Sequence, residues 1–146
     1  MKEVIIYTDG ACKGNPGPGG WAALLMYKDK KREIYGAEPH TTNQRMELQA
    51  AIEGLRLLKE PCQVRLHSDS AYLVNAFRQR WLERWEKNGW RTRNKQPVEN
   101  QDLWRELLGL ATYHRVEWNK VRGHSTDEYN NRCDYLAQEA ALGNLP

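Results

Sequence analysis

Four carboxylates carry the chemistry that this 146-residue sequence offers. Asp9 ends the apolar run Val4-Ile5-Ile6-Tyr7, where the pattern asks for more core. A charge there is costly unless something pairs it, and a bound cation is one such partner. Asp69 stands in Ser68-Asp69-Ser70, at the end of a second short apolar alternation. It also reads as a helix cap, with Ser68 or Ser70 alongside. Glu47 shares a helical face with Ala51, Gly54 and Leu58, at spacings of 4, 7 and 11. The positive end of a helix favours a glutamate there as well. Asp134 adjoins the small apolar stripe Cys133, Leu136, Ala137 and Ala140, and an ion pair with Arg132 would also account for it. If the four converge, they cannot all stay ionised without cations. Oxygen-only ligands with no Cys/His cluster select Mg²⁺ or Mn²⁺ over Zn²⁺. Paired hard cations serve phosphoryl transfer. His124 follows the last strand in Arg122-Gly123-His124, and ligands gather at strand ends in open α/β sheets.

The elements that must position these groups follow from periodicity and punctuation. Strand patterns cover 4–11, 21–27, 32–37, 63–67 and 114–121. Helical patterns cover 46–58, 71–77, 101–110 and about 127–142, and the 81–90 segment, with Trp81 and Trp85 on one helical face, adds a fifth. Gly14-Asn15-Pro16-Gly17-Pro18-Gly19-Gly20 is a turn between the first two strands. It lacks GK[ST], so it is no Walker loop, yet its small residues let the backbone of Cys12 and Asn15 approach a ligand closely. Thr42 or Asn43 caps the first helix, and Ser125 and Glu128 have capping-box spacing before the last. The order βββαβαααβα predicts one α/β domain over 1–146, a mixed sheet with helices packed on it.

Composition narrows the class. Hydrophobic content of 40% and charged content of 28% fit a globular chain. No apolar run approaches a membrane span, so no membrane partner is expected. Three widely spaced cysteines suggest neither a disulfide framework nor a zinc site, and they fit a reducing cytoplasm. The net charge of +3 is concentrated: residues 80–95 hold six basic side chains against Glu83 and Glu86. There Trp81, Trp85 and Trp90 alternate with Arg84, Lys87, Arg91 and Arg93. Basic groups meet phosphates and exposed tryptophans stack on sugars or bases, although the same tryptophans could simply pack on the core.

Taken together, these stretches resemble bacterial type 1 ribonuclease H along nearly the whole chain. The resemblance rests on Tyr7-Thr8-Asp9-Gly10-Ala11, the Gly14–Gly20 turn, Thr41-Thr42-Asn43-Gln44-Arg45-Met46-Glu47-Leu48, Ser68-Asp69-Ser70, Trp81 to Trp90, Val121-Arg122-Gly123-His124 and Asn130-Asn131-Arg132-Cys133-Asp134. It implies a ribonuclease H-like fold, a five-stranded mixed sheet with three antiparallel strands and then two parallel ones, flanked by helices. It implies a monomeric endonuclease that cuts the RNA strand of RNA–DNA hybrids, leaving 5′-phosphate and 3′-hydroxyl ends, largely without regard to sequence. By position, Asp9, Glu47, Asp69 and Asp134 would hold two Mg²⁺ ions, with Asp9 between them, and His124 would assist proton transfer or product release. Asn15, Asn43 and Gln44 would read the minor groove and RNA hydroxyls. Thr42 would belong to a pocket for a DNA-strand phosphate, and Trp81 with the basic segment would grip the DNA strand. Glu83, Glu86 and Glu99 depart from the pattern, Glu99 standing where a basic residue is common, which implies weaker or more salt-sensitive binding. The alternatives are a non-catalytic nucleic-acid-binding module, which should have lost at least one acid, and another nuclease of the superfamily, which would lack the Trp/basic segment.

Overall fold

The computed structural model describes residues 1–122 and 127–146. The elements, in chain order, are β1 (Lys2–Cys12), β2 (Gly17–Tyr27), β3 (Lys30–Thr41), α1 (Asn43–Arg56), β4 (Cys62–Ser68), α2 (Ala71–Arg78), α3 (Trp81–Asn88), α4 (Gln101–Tyr113), β5 (Arg115–Lys120) and α5 (Glu128–Ala141). They form the expected five-stranded sheet, in the order β3-β2-β1-β4-β5. β1 pairs antiparallel with β2 and parallel with β4; β2–β3 is antiparallel and β4–β5 parallel.

The strand carrying Asp9 is therefore central, and both of its faces are covered. Val4 and Ile6 join the larger core beneath α1, α2 and α4. Tyr7 and Ala11 lie against the smaller core formed with Cys133, Leu136 and Ala137 of α5. Two glycines make this packing possible. A Cβ on Gly20 would lie 2.2 Å from the Ala137 carbonyl, so α5 rests directly on β2. A Cβ on Gly10 would lie 2.5 Å from the Glu47 amide nitrogen, so the start of α1 rests directly on β1.

Boundaries differ from the sequence pattern where tertiary pairing overrides it. β3 extends to Thr41 and is mostly exposed, as an edge strand with one neighbour can be. α1 begins at Asn43, and the Thr42 hydroxyl caps it by accepting from the Arg45 N–H at 3.2 Å. Glu47 thus lies beyond the first turn, and its place is explained by the face it occupies more than by the helix dipole. His114 caps the end of α4, and β5 starts only after it. Asp127 caps α5 by accepting from the Tyr129 and Asn130 amides. Ser125 and His124 lie outside the described residues. Among the described residues, no helix is long and apolar enough to cross a membrane.

Candidate active site

Parallel pairing of β1 with β4 carries Asp9 and Asp69 to the same edge of the sheet, just past their paired stretches. α1 crosses that edge and brings Glu47. Ligand oxygens of Asp9, Glu47 and Asp69 all lie within 4.8 Å of one another. Asp134 approaches from α5, and its charge and a side-chain hydrogen bond both act on Asp9.

Asp9 is only 4% exposed, and one oxygen accepts from the Gly10 N–H at 2.9 Å. Burial pushes its carboxyl far above the ordinary carboxylate range, and the charges of Asp69 and Asp134 push the same way. Burial also lifts Glu47, to about 7, with Asp69 adding to the rise; hydrogen bonds from Ser70 and Asn43 hold it back. Asp69 is raised by burial and by Asp134, while Lys120 and a hydrogen bond from Asp9 counter that rise.

The neighbouring contacts settle several open readings. Ser70 caps α2, accepting from the Leu73 N–H at 3.1 Å, so Asp69 is not needed as a cap. Arg132 pairs with Glu33 on β3 through two hydrogen bonds of 2.6 and 3.0 Å, so it does not neutralise Asp134. Asp134 instead accepts from the Gln138 amide at 3.0 and 3.1 Å. The result is a cluster of hard oxygens, mutually repelling and supplied with neutral donors. The donor set fits divalent cations of the Mg²⁺ type, since neutralisation by such ions is what desolvated, crowded carboxylates lack.

Beside the cluster, a depression of about 550 Å³ is lined by Asn15, Thr42, Asn43, Gln44, Glu99 and Asn100. The Asn15 side-chain oxygen accepts from the Asn43 N–H at 2.8 Å, and Asn43 donates to Glu47 at 3.3 Å. The Gly/Pro turn is thereby tied to α1 and, through it, to the carboxylates. The Cys12 thiol donates to the Thr41 and Gly17 carbonyls, pinning the base of that turn.

The basic segment lies on α3 and the loop after it. Leu82 is buried, while Arg84, Lys87 and Arg91 are exposed. Trp81 and Trp85 are half-buried, with ring centroids 6.2 Å apart, and Trp85 packs on Trp104 of α4. Trp90 departs from expectation. It is 6% exposed, packs against Trp85, and is covered by the Arg105 guanidinium at 4.7 Å. Its ring is a core side chain packed between Trp85 and Arg105, so it does not offer a face to a sugar or base.

Sequence reasoning missed Gly10 and the contacts of Ser70 and Gln138 with the acids. An isolated glycine inside a strand pattern does signal close backbone approach. The hydrogen bonds of Ser70 and Gln138 leave no such mark, because polar residues at those positions are unremarkable.

A family model described as RNase H matches residues 1–142. Ribonuclease H of Moorella thermoacetica is 72% identical over 140 residues, covering 96% of this chain and 92% of the relative. Ribonuclease H of Symbiobacterium thermophilum is 66% identical, covering 96% and 95%. Among solved structures, that of LC9-RNase H1, a type 1 RNase H with the type 2 active-site motif, superposes with a TM-score of 0.88 at 33% identity, covering 99% of this chain and 74% of that one. The complex of LC11-RNase H1 with an RNA/DNA hybrid shares the fold, with a TM-score of 0.69 at 22% identity, covering 98% of this chain and 99% of that one.

Proposed function

This chain belongs to the ribonuclease H family, and on that premise we propose that it hydrolyses the RNA strand of RNA–DNA hybrids endonucleolytically, using divalent cations held by Asp9, Glu47, Asp69 and Asp134. The observation that carries the reading is the convergence of three carboxylates from three elements within 4.8 Å, beside a fourth that acts on Asp9. Mg²⁺ is the cation that hard oxygen ligands favour, in a pair when substrate is present, with Mn²⁺ as substitute. When bound, such ions supply a water activated for attack and neutralise the charge that develops on the leaving oxygen. Products then carry 5′-phosphate and 3′-hydroxyl ends.

The chain's own residues do the rest. Asp9 is the most deeply placed acid and the one that Asp69 and Asp134 both act on, which supports it as the carboxylate that would be central to holding the cations. Ser70 and Asn43 hold Glu47 in orientation, and Gln138 holds Asp134, through their hydrogen bonds. His124 is proposed to move a proton or help release product. Asn15, Asn43 and Gln44 line the depression beside the acids, and together with Cys12 they are proposed to contact the hybrid, with the RNA 2′-hydroxyls as the feature that tells the strands apart. Thr42 is proposed to bind a DNA-strand phosphate. Trp81, Arg84, Trp85, Lys87 and Arg91 are proposed to grip the DNA strand, and Trp90 to support them from beneath. Phosphate contacts fix register without reading sequence, so cleavage is largely sequence-independent. One chain supplies all four acids, which supports action as a monomer. The three free cysteines fit a reducing cytoplasm.

The test is a labelled RNA–DNA duplex incubated with the protein and Mg²⁺. Cleavage of the RNA strand only, abolished by EDTA and restored by Mg²⁺, is expected. Cleavage of duplex DNA at a comparable rate would favour another nuclease of the superfamily.

A further inference from the structure

α5 must set Asp134 against Asp9 across a contact with few features of its own. The face it lays on the sheet carries the small side chains Cys133, Ala137 and Ala140, and it meets the bare backbone of Gly20. Apolar contact of this kind is non-directional, so it holds the helix close without fixing how far along the strands it sits. That position falls to polar ties. One is Arg132 with Glu33 on the edge strand β3, through side chains 47% and 35% exposed, which water and salt weaken. The others converge on one residue of β1. The Tyr7 hydroxyl hydrogen-bonds the Asp127 carboxylate, which also accepts from the Tyr129 and Asn130 amides as the cap of α5. The Tyr7 carbonyl accepts from the Cys133 thiol at 3.4 Å. The Tyr7 ring lies tilted against Tyr129, with centroids 5.4 Å apart, and stacks on His67 of the neighbouring β4 at 4.6 Å. Tyr7 thus meets the cap and the first two turns of α5, at Asp127, Tyr129 and Cys133. It stands two residues before Asp9, and Cys133 stands one before Asp134.

We propose that Tyr7 is a positioning residue for the carboxylate cluster: its hydroxyl, bonded to Asp127, fixes α5 along β1 and so sets where Asp134 stands relative to Asp9. The proposal rests on those acids holding the cation. Losing the hydroxyl leaves every acid in the chain and loosens one against the others. A displacement of about 1 Å matters to a small, hard cation that demands near-ideal geometry.

The experiment compares Tyr7→Phe, Asp127→Ser and the double variant with the parent and with Leu107→Val. Phenylalanine keeps the ring and its stacking, and serine keeps a cap for α5 while withdrawing the carboxylate from the phenol. Leu107→Val trims the larger core on α4, away from α5, and controls for lost stability. Mg²⁺ binding is measured by calorimetry without substrate, and the Cys133 and Asp134 amide signals are followed by NMR in EDTA. Tyr7→Phe should weaken Mg²⁺ binding by about threefold to tenfold and move both amide signals. On the hybrid, the Mg²⁺ concentration for half-maximal rate should rise by the same factor, with KM unchanged and kcat restored at saturating Mg²⁺. Asp127→Ser should share the defect, and the double variant should be no worse than either single one, because both break one bond. Leu107→Val should melt lower yet bind Mg²⁺ as the parent does. The proposal is overturned if Tyr7→Phe matches the parent in Mg²⁺ binding, if the amide signals stay in place, if Leu107→Val is weakened equally, or if the two losses add. Mg²⁺ binding by the parent reports separately on the cation reading.

Discussion

Asp9, Glu47 and Asp69 hang on the regular part of the fold, two central strands and the helix laid across them, whereas Arg84, Lys87 and Arg91 hang on a short helix and an irregular loop. The first group is over-determined. β1 is paired on both sides, and Gly10 lets α1 sit directly on it. The second group is held by side chains. Arg80, Trp90, Lys95 and Asn100, four of the five non-glycine residues with left-handed backbone among those described, all fall in this region, at φ between 59° and 64°. Each costs on the order of 1 kcal/mol, and the loop keeps them because Trp90 and Val98 are buried with Trp85 and Trp104. Reacting groups need placement to fractions of an ångström and belong on a ladder. Groups that meet a backbone through point charges tolerate a looser mount.

The largest effect expected is from Asp9→Asn. The cleavage rate should fall by at least about 10³-fold, some 4 kcal/mol of barrier, while the cation-free protein melts higher because folding no longer has to protonate a buried carboxylate. A loss below tenfold would remove Asp9 from its proposed place. Next is Gly10→Ala, which drives a methyl into the backbone at Met46 and Glu47. Denaturant titration should show a loss of about 2–4 kcal/mol, with activity falling as Glu47 shifts. Wild-type stability would mean that α1 is less firmly seated than the geometry implies.

A smaller effect concerns pH. Glu47 titrates near 7 in the folded chain against an ordinary 4.5, and Asp9 is raised further still. The folded state therefore holds these protons more tightly than the unfolded chain. Their contribution is fully present below the ordinary carboxylate values and is lost as pH rises through 7 and above. In EDTA, the melting temperature should drop by about 3–6 °C between pH 5.5 and 8.5, and Mg²⁺ should shrink the drop. A melting temperature that climbs across that window would contradict the arrangement. The smallest effect is expected from Arg84→Ala: hybrid affinity weakened a few-fold, the salt slope reduced by about one, and kcat kept.

Strand and helix order was readable from the sequence because apolar spacing and Gly/Pro punctuation agree along most of it. Asp9 and Asp69 were readable because each interrupts or ends an apolar run, a local conflict that demands a partner. Glu47 and Asp134 were harder, since an acid on a helix has ordinary explanations; only the docking of α1 and α5 against β1 makes them neighbours. Trp90 was left open between stacking on a ligand and packing on the core, and the left-handed turn at Gly89 and Trp90, which no local pattern announces, goes with its ring lying buried. Element ends slipped where long-range pairing sets them, as at β3, whose exposed residues owe their extended form to β2.

The wide spread of the acids along the chain has a consequence for synthesis. β1 emerges from the ribosome before α5, and its carboxylate stays without its α5 neighbour until residue 134 has been added. At ordinary elongation rates that interval is on the order of ten seconds. A nascent chain thus carries each acid in turn while lacking the assembled cluster, which is complete only once α5 has docked against β1.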